Sequence, residues 1–115
     1  MSLDITFYHT NDVEDVSYNI THNMNVMAEH VPLQNGYTLY NLLWRGDEMS
    51  PKIEKAYQMT DLLIDAIKYL AIHKNELLQY NPSNGWGDFD CLFDFVGSCL
   101  VASIAYPNDC VSYSR

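Results

Sequence analysis

Asn81-Pro82-Ser83-Asn84-Gly85-Trp86-Gly87 is the stretch that organises this chain. Pro82 has no backbone N–H, and Gly85 and Gly87 tolerate positive φ, so these residues form a loop. A helical pattern runs into the loop and a stronger one leaves it. On the far side Asp88 stands at a helix start with Asp90 in the first turn, where carboxylates favour the positive end of the helix dipole. Phe89, Leu92, Phe93, Val96, Cys99 and Leu100 then make an apolar stripe that Pro107 ends. On the near side Leu62, Leu63, Ala66, Ile67 and Leu70 make a second stripe, with Thr60 as its expected cap. His73-Lys74-Asn75 is expected to break that helix and Glu76–Tyr80 to form a separate helical turn.

Further from the loop the signals are shorter. Thr21 is an expected N-cap, followed by Met24, Met27, Ala28 and Val31 at helical spacing and stopped by Pro32. Asn35-Gly36 is a turn signal. Thr38–Trp44 reads as a short helix with Leu39, Leu42 and Leu43 on one side, stopped by Gly46. Asp47–Lys55, with Pro51, is a polar approach to the next helix. Leu3–Thr10, carrying Ile5, Thr6, Phe7 and Tyr8, reads as a strand, and Asn11–Asp15 as a polar turn. Val16–Ile20 either extends a strand or leads into a helix. Cys110–Ser114 has the composition of a closing strand, with Val111 and Tyr113 on one face. Two terminal strands cannot bury a face alone. The expectation is therefore a mostly helical α+β single domain spanning 1–115, with four to five helices and a small two-stranded sheet formed by the terminal strands.

The bulk numbers are compatible with this and exclude several roles. A chain of 115 residues should bury somewhat more than ~60% of its unfolded surface, so it needs neither a disulfide nor a metal to fold. Fifteen acidic residues against six Lys and Arg give a formal net charge of −9. A body of this sign repels nucleic-acid phosphates and anionic membranes, so neither is an expected partner. The charge serves solubility, or it complements a partner with a basic surface. Cys91 and Cys99 lie roughly 12 Å apart if both are on one helix, too far for a disulfide. All three cysteines, with Cys110, are expected to be reduced, as in a cytoplasmic protein. The N-terminal stretch, with Asp4, Thr6 and His9, does not read as a signal peptide, and no apolar run reaches the ~18 residues of a membrane span.

Four segments carry a resemblance when taken together: Asn19-Ile20-Thr21-His22-Asn23, Leu43-Trp44-Arg45, Asn81-Pro82-Ser83-Asn84-Gly85-Trp86-Gly87 and Ser112-Tyr113-Ser114-Arg115. From about Tyr18 onward the chain resembles a family of small bacteriophage and prophage proteins, also found in some bacteria. The resemblance implies an origin and no particular activity. Members of that family often carry Pro after Leu-Trp-Arg, where this chain has Gly46.

Each of these segments has a structural and a functional reading. Asn19 or Thr21 can cap a helix; alternatively the same free N–H groups, with His22 and Asn23, bind an anion or carboxylate. Trp44 can pack in the core while Arg45 ties a carboxylate; alternatively Arg45 anchors an anion beside an aromatic wall. Asn84-Gly85-Trp86-Gly87 can be a fixed turn with Trp86 capping the core; alternatively Trp86 is a rigid contact for a ligand or partner. Asp90 and Asp94 share a helix face, which reads first as a solvated face; alternatively its small repulsive cost points to a basic partner. His9, His22, His30 and His73 are too scattered to suggest a metal, and no motif for a cofactor or a nucleophile stands out.

The sequence thus points first to a non-enzymatic, protein-binding or host-modulating module in the cytoplasm of a bacterium or infected cell. A homodimer is compatible with its tyrosine and methionine content. The alternative is a small protein that binds an anionic, nucleotide-like ligand through His22, Asn23, Arg45, Asn84 and Trp86. Both readings require polar segments distant in sequence to meet beside the tryptophan loop.

Overall fold

The computed structural model describes residues 2–9 and 15–115. The polar turn expected at Asn11–Asp15 lies outside the described residues, save Asp15. Two strands come first, β1 (Ser2–Tyr8) and β2 (Val16–Thr21). Five helices follow: α1 (Asn25–Glu29), α2 (Leu39–Trp44), α3 (Tyr57–Ile72), α4 (Lys74–Leu77) and α5 (Phe89–Ala105). Strand β3 (Cys110–Ser114) closes the chain. Among the described residues, no helix is long and apolar enough to cross a membrane.

The terminal strands pair, but the sheet has a third member. Its order is β2-β1-β3, antiparallel throughout. Val16–Thr21 is the segment whose sequence admitted strand or helix. It becomes a strand because Val16, Tyr18 and Ile20 alternate with polar Ser17, Asn19 and Thr21, and pairing with β1 places the first set inward. β1 is central, and its inner residues Leu3, Ile5 and Phe7 are fully buried. Each such side chain contributes about 1.5–3 kcal/mol. The opposite face is polar and faces water. There the Thr6 and Ser17 hydroxyls lie 3.0 Å apart, and the Asn19 side-chain amide donates to Asp4 Oδ1 at 2.7 Å and Ser2 Oγ at 2.9 Å.

The helices cover the apolar face. α3 contributes Met59, Leu63, Ala66 and Leu70, and α5 contributes Phe89, Leu92, Phe95, Val96, Cys99 and Ala102. Phe93 and Leu100, expected in the stripe of α5, are half-buried at its flanks. Thr60 does not cap α3, which begins a turn earlier at Tyr57; its hydroxyl instead bonds Ser103 on α5 at 2.9 Å. A polar side chain at that point joins the two long helices across an apolar interface. The cap at Asp88 is present, its carboxylate accepting from Cys91 N–H at 3.0 Å. That hydrogen bond holds the exposed carboxyl below its ordinary pKa. Thr38 caps α2 in a reciprocal capping box with Asn41. Thr21 caps the short 3-10 turn His22–Met24 that precedes α1.

Candidate functional site

The tryptophan loop is fixed by its asparagines. Asn81 Oδ1 accepts the Phe89 N–H and Asn84 Oδ1 accepts the Trp86 N–H, both at 2.9 Å. Asn23 Nδ2 donates to the Trp86 carbonyl at 3.4 Å, joining the loop to the end of β2. Gly87, at φ 99°, lies so close to this segment that an added Cβ would meet Met24 Sδ and Thr21 Cγ2 at 2.9 Å. The backbone is therefore held while the Trp86 side chain remains 71% exposed. The reading in which Trp86 caps the core is corrected: the loop projects the ring into solvent.

Trp86 lines two open recesses. One, of about 570 Å³, is lined by Ser2, Asn19, Thr21, His22, Asn23 and Trp86. The other, of about 390 Å³, runs between β2 and α5 and includes Tyr18, Thr21, Trp86, Cys91, Asp94 and Ser98. Asn19, His22, Asn23 and Trp86 thus come together as expected, through the turn at the end of β2 and the loop before α5.

Trp44 belongs to this site from behind. It is only 3% exposed, stacks on Tyr40 with 5.8 Å between ring centroids, and donates its indole N–H to His22 Nδ1 at 2.9 Å. An acceptor Nδ1 carries no proton, so the proton of the neutral ring sits on Nε2. His22 is oriented by the core and presents one fixed tautomer at the edge of a recess.

Arg45 and Asn84 do not join the site. Asn84 spends its carbonyl oxygen on the loop itself. Arg45 lines neither recess; Nη1 pairs with Glu48 Oε2 at 3.0 Å and Nε donates to the Tyr40 hydroxyl at 3.4 Å. Those two hydrogen bonds, Tyr40's first, raise the pKa of an already cationic group. Arg115 reaches the same corner, pairing with Asp47 at 2.9 Å and Glu48 at 3.3 Å. Beside them the Tyr113 ring packs against Gly46, leaving no room for a Cβ there. Arg45 and the Ser112–Arg115 segment therefore build a structural clasp, and Gly46 is matched to the Tyr113 ring. Burial, with Asp47 nearby, pushes the Tyr113 hydroxyl well above its ordinary pKa.

Several lining residues escaped the sequence reading. Tyr18, Cys91 and Ser98 line the second recess although no motif marks them in the sequence. The signal was the spacing of Cys91, Asp94, Ser98 and Val101, which puts them on one flank of α5 opposite its buried stripe. The three cysteines are free, and among the described residues no three His, Cys, Asp or Glu side chains gather to hold a metal.

No protein-family model matches the chain, and neither a curated protein nor a solved structure does.

Proposed function

We propose that this chain is a non-enzymatic, protein-binding module that acts on a host or phage protein in the bacterial cytoplasm, with Trp86 as its principal contact. One observation carries the reading: a tryptophan 71% exposed on a loop whose backbone is anchored by three asparagine side chains. Exposing a large apolar ring on a rigid mount loses solvation free energy unless a partner covers it. A pre-ordered aromatic is the kind of group that dominates interface energetics, because little conformational entropy is lost on binding. The net charge of −9 supports a basic partner surface. The phage and prophage resemblance of the Asn-Pro-Ser-Asn-Gly-Trp-Gly segment supports the setting. The polar groups near Trp86 favour binding over chemistry, since Asn19, Asn84 and His22 Nδ1 already have partners within the fold.

The test uses wild-type and Trp86→Ala chains as paired baits in bacterial lysate at low and high salt. A protein retained by wild type, released by salt and absent from the Trp86→Ala bait is the expected result. Identical retention by both baits would refute the role of Trp86. A second reading, a small anionic ligand, draws on the His22 Nε2–H beside the recess of about 570 Å³. It loses its cation, because Arg45 is engaged elsewhere with Glu48.

A further inference from the structure

The two edges of the sheet are treated differently. The outer edge of β3 is covered at its start: Val111 N–H donates to the Glu54 carbonyl at 3.0 Å, Ala56 N–H to the Asp109 carbonyl at 2.9 Å, and Lys55 bridges to Cys110. The outer edge of β2 is open among the described residues. Among the described residues, the backbone of Val16–Thr21 makes no hydrogen bond outside its ladder with β1 and the adjoining helical turn. Proteins usually blunt such an edge with lysine, proline or a bulge. Val16-Ser17-Tyr18-Asn19-Ile20-Thr21 contains no charge and no proline, and four of its six residues favour strands.

The recess of about 390 Å³ lies along this edge. It is lined by Tyr18, Asn19, Ile20 and Thr21 in succession. Consecutive strand residues point to opposite faces, so a hollow touching all four runs along the backbone rim. Its far wall is α5, through Cys91, Asp94 and Ser98, and an adjoining recess continues past Gly97 and Ser98 to Val101. The sheet stops at β2 and leaves this flank of α5 without a strand above it. Gly97 and Ser98 keep the flank low, and Trp86 closes the end nearest Thr21.

We infer that the β2 edge receives an extended, basic segment of a partner protein, which adds as a fourth strand over the exposed flank of α5. This rests on the protein-binding reading above and specifies its mode. Main-chain hydrogen bonds to β2 supply the register and side chains supply the choice. Charge selects the occupant. Among the described residues, Asp94 is the single charged side chain lining either recess, it is exposed, and no cation pairs with it. A lysine or arginine of the added strand would reach Asp94 and the face of Trp86, where an aromatic ring attracts a cation. A second copy of this chain is disfavoured, because β2 offers no cation to Asp94 and each copy carries −9.

The probe is a displayed library of random peptides, selected on the wild-type chain at low salt and followed by amide hydrogen exchange. Selected peptides are expected to be rich in Lys, Arg and β-branched residues and poor in Pro, and to slow exchange at amides of Val16–Thr21. Asp94→Lys, on an exposed site that leaves folding intact, is expected to weaken them about tenfold or more. Peptides that bind without protecting β2, or a Trp86-dependent partner with no peptide selected, would overturn strand addition and leave the protein-binding reading standing. A dimer that alone protects β2 would likewise overturn it. Failure of both the selection and the paired-bait capture would remove the broader reading as well.

Discussion

Replacing Gly87 by alanine tests how tightly the tryptophan loop is seated, and Gly85 provides the internal control. Both glycines have positive φ, 78° at Gly85 and 99° at Gly87. An alanine at either position carries a left-handed backbone cost of about 1–2 kcal/mol. At Gly85 nothing else opposes it, since no atom lies within 4 Å of the added Cβ. At Gly87 the Cβ meets Met24 Sδ and Thr21 Cγ2, both at 2.9 Å. Neither neighbour yields easily. Met24 is fully buried in the core, and rotating Thr21 breaks the cap in which its hydroxyl accepts Asn23 N–H at 3.3 Å. Overpacking of this kind costs a further ~1–3 kcal/mol. Gly87→Ala is therefore expected to destabilise by roughly 2–5 kcal/mol, a large part of the ~5–15 kcal/mol of a typical domain. The assay is urea unfolding followed by far-ultraviolet circular dichroism, with the slope checked for constancy between variants. Equal losses for the two variants, within ~0.5 kcal/mol, would show that the loop is not packed against Thr21 and Met24.

Two further outcomes follow from the same geometry. Trp44→Phe keeps a buried ring and deletes the hydrogen bond to His22 Nδ1, so it should cost about 0.5–1.5 kcal/mol plus a packing loss. In a double-mutant cycle with His22→Ala the two changes should couple by about 1 kcal/mol, and additivity would argue that the indole and imidazole do not interact. Cys99 ties stability to alkaline pH, because burial pushes its thiol up to about 12. The folded state favours the neutral thiol, whereas the unfolded thiol ionises near ~8.5. Its contribution is intact below that point and is lost as pH climbs towards the folded value, by up to ~1.4 kcal/mol per pH unit. The stability gap between wild type and Cys99→Ala should thus narrow from about pH 8 to about pH 10 in urea titrations, and a constant gap would contradict this account.

What could be read from the residues, and what could not, follows from the range of the interactions involved. Local chemistry was legible. Asp88 and Thr21 cap because a short polar side chain reaches an N–H only two or three residues away, and Gly85 and Gly87 turn because φ must be positive there. The apolar spacing of α3 and α5 placed their cores. Thr60 misled because its hydroxyl looks like a cap in sequence, while its partner Ser103 is distant in the chain and only packing reveals it. β2 was ambiguous for a related reason: a half-buried edge strand has one neighbour, and its alternation is short.

The site divides along the same line. That the Asn19–Asn23, Trp44–Arg45 and Asn84–Trp86 segments meet is an expectation no residue pattern proves; the first and last do meet, because Asn23 reaches the Trp86 carbonyl and Gly87 leaves space for Thr21 and Met24. Which residues would be left over was not inferable. Arg45 looked like an anion anchor, yet Glu48 and Tyr40 engage it, away from the recess that His22 lines. Consecutive side chains of a helix end point in different directions, so Trp44 turns inward to orient His22 while Arg45 turns to a surface clasp. Cutting the anion anchor from the recess is what shifts the balance of the reading. A hollow rimmed by Trp86, Asp94 and an open strand edge, with no cation of its own, suits a chain that brings the cation with it.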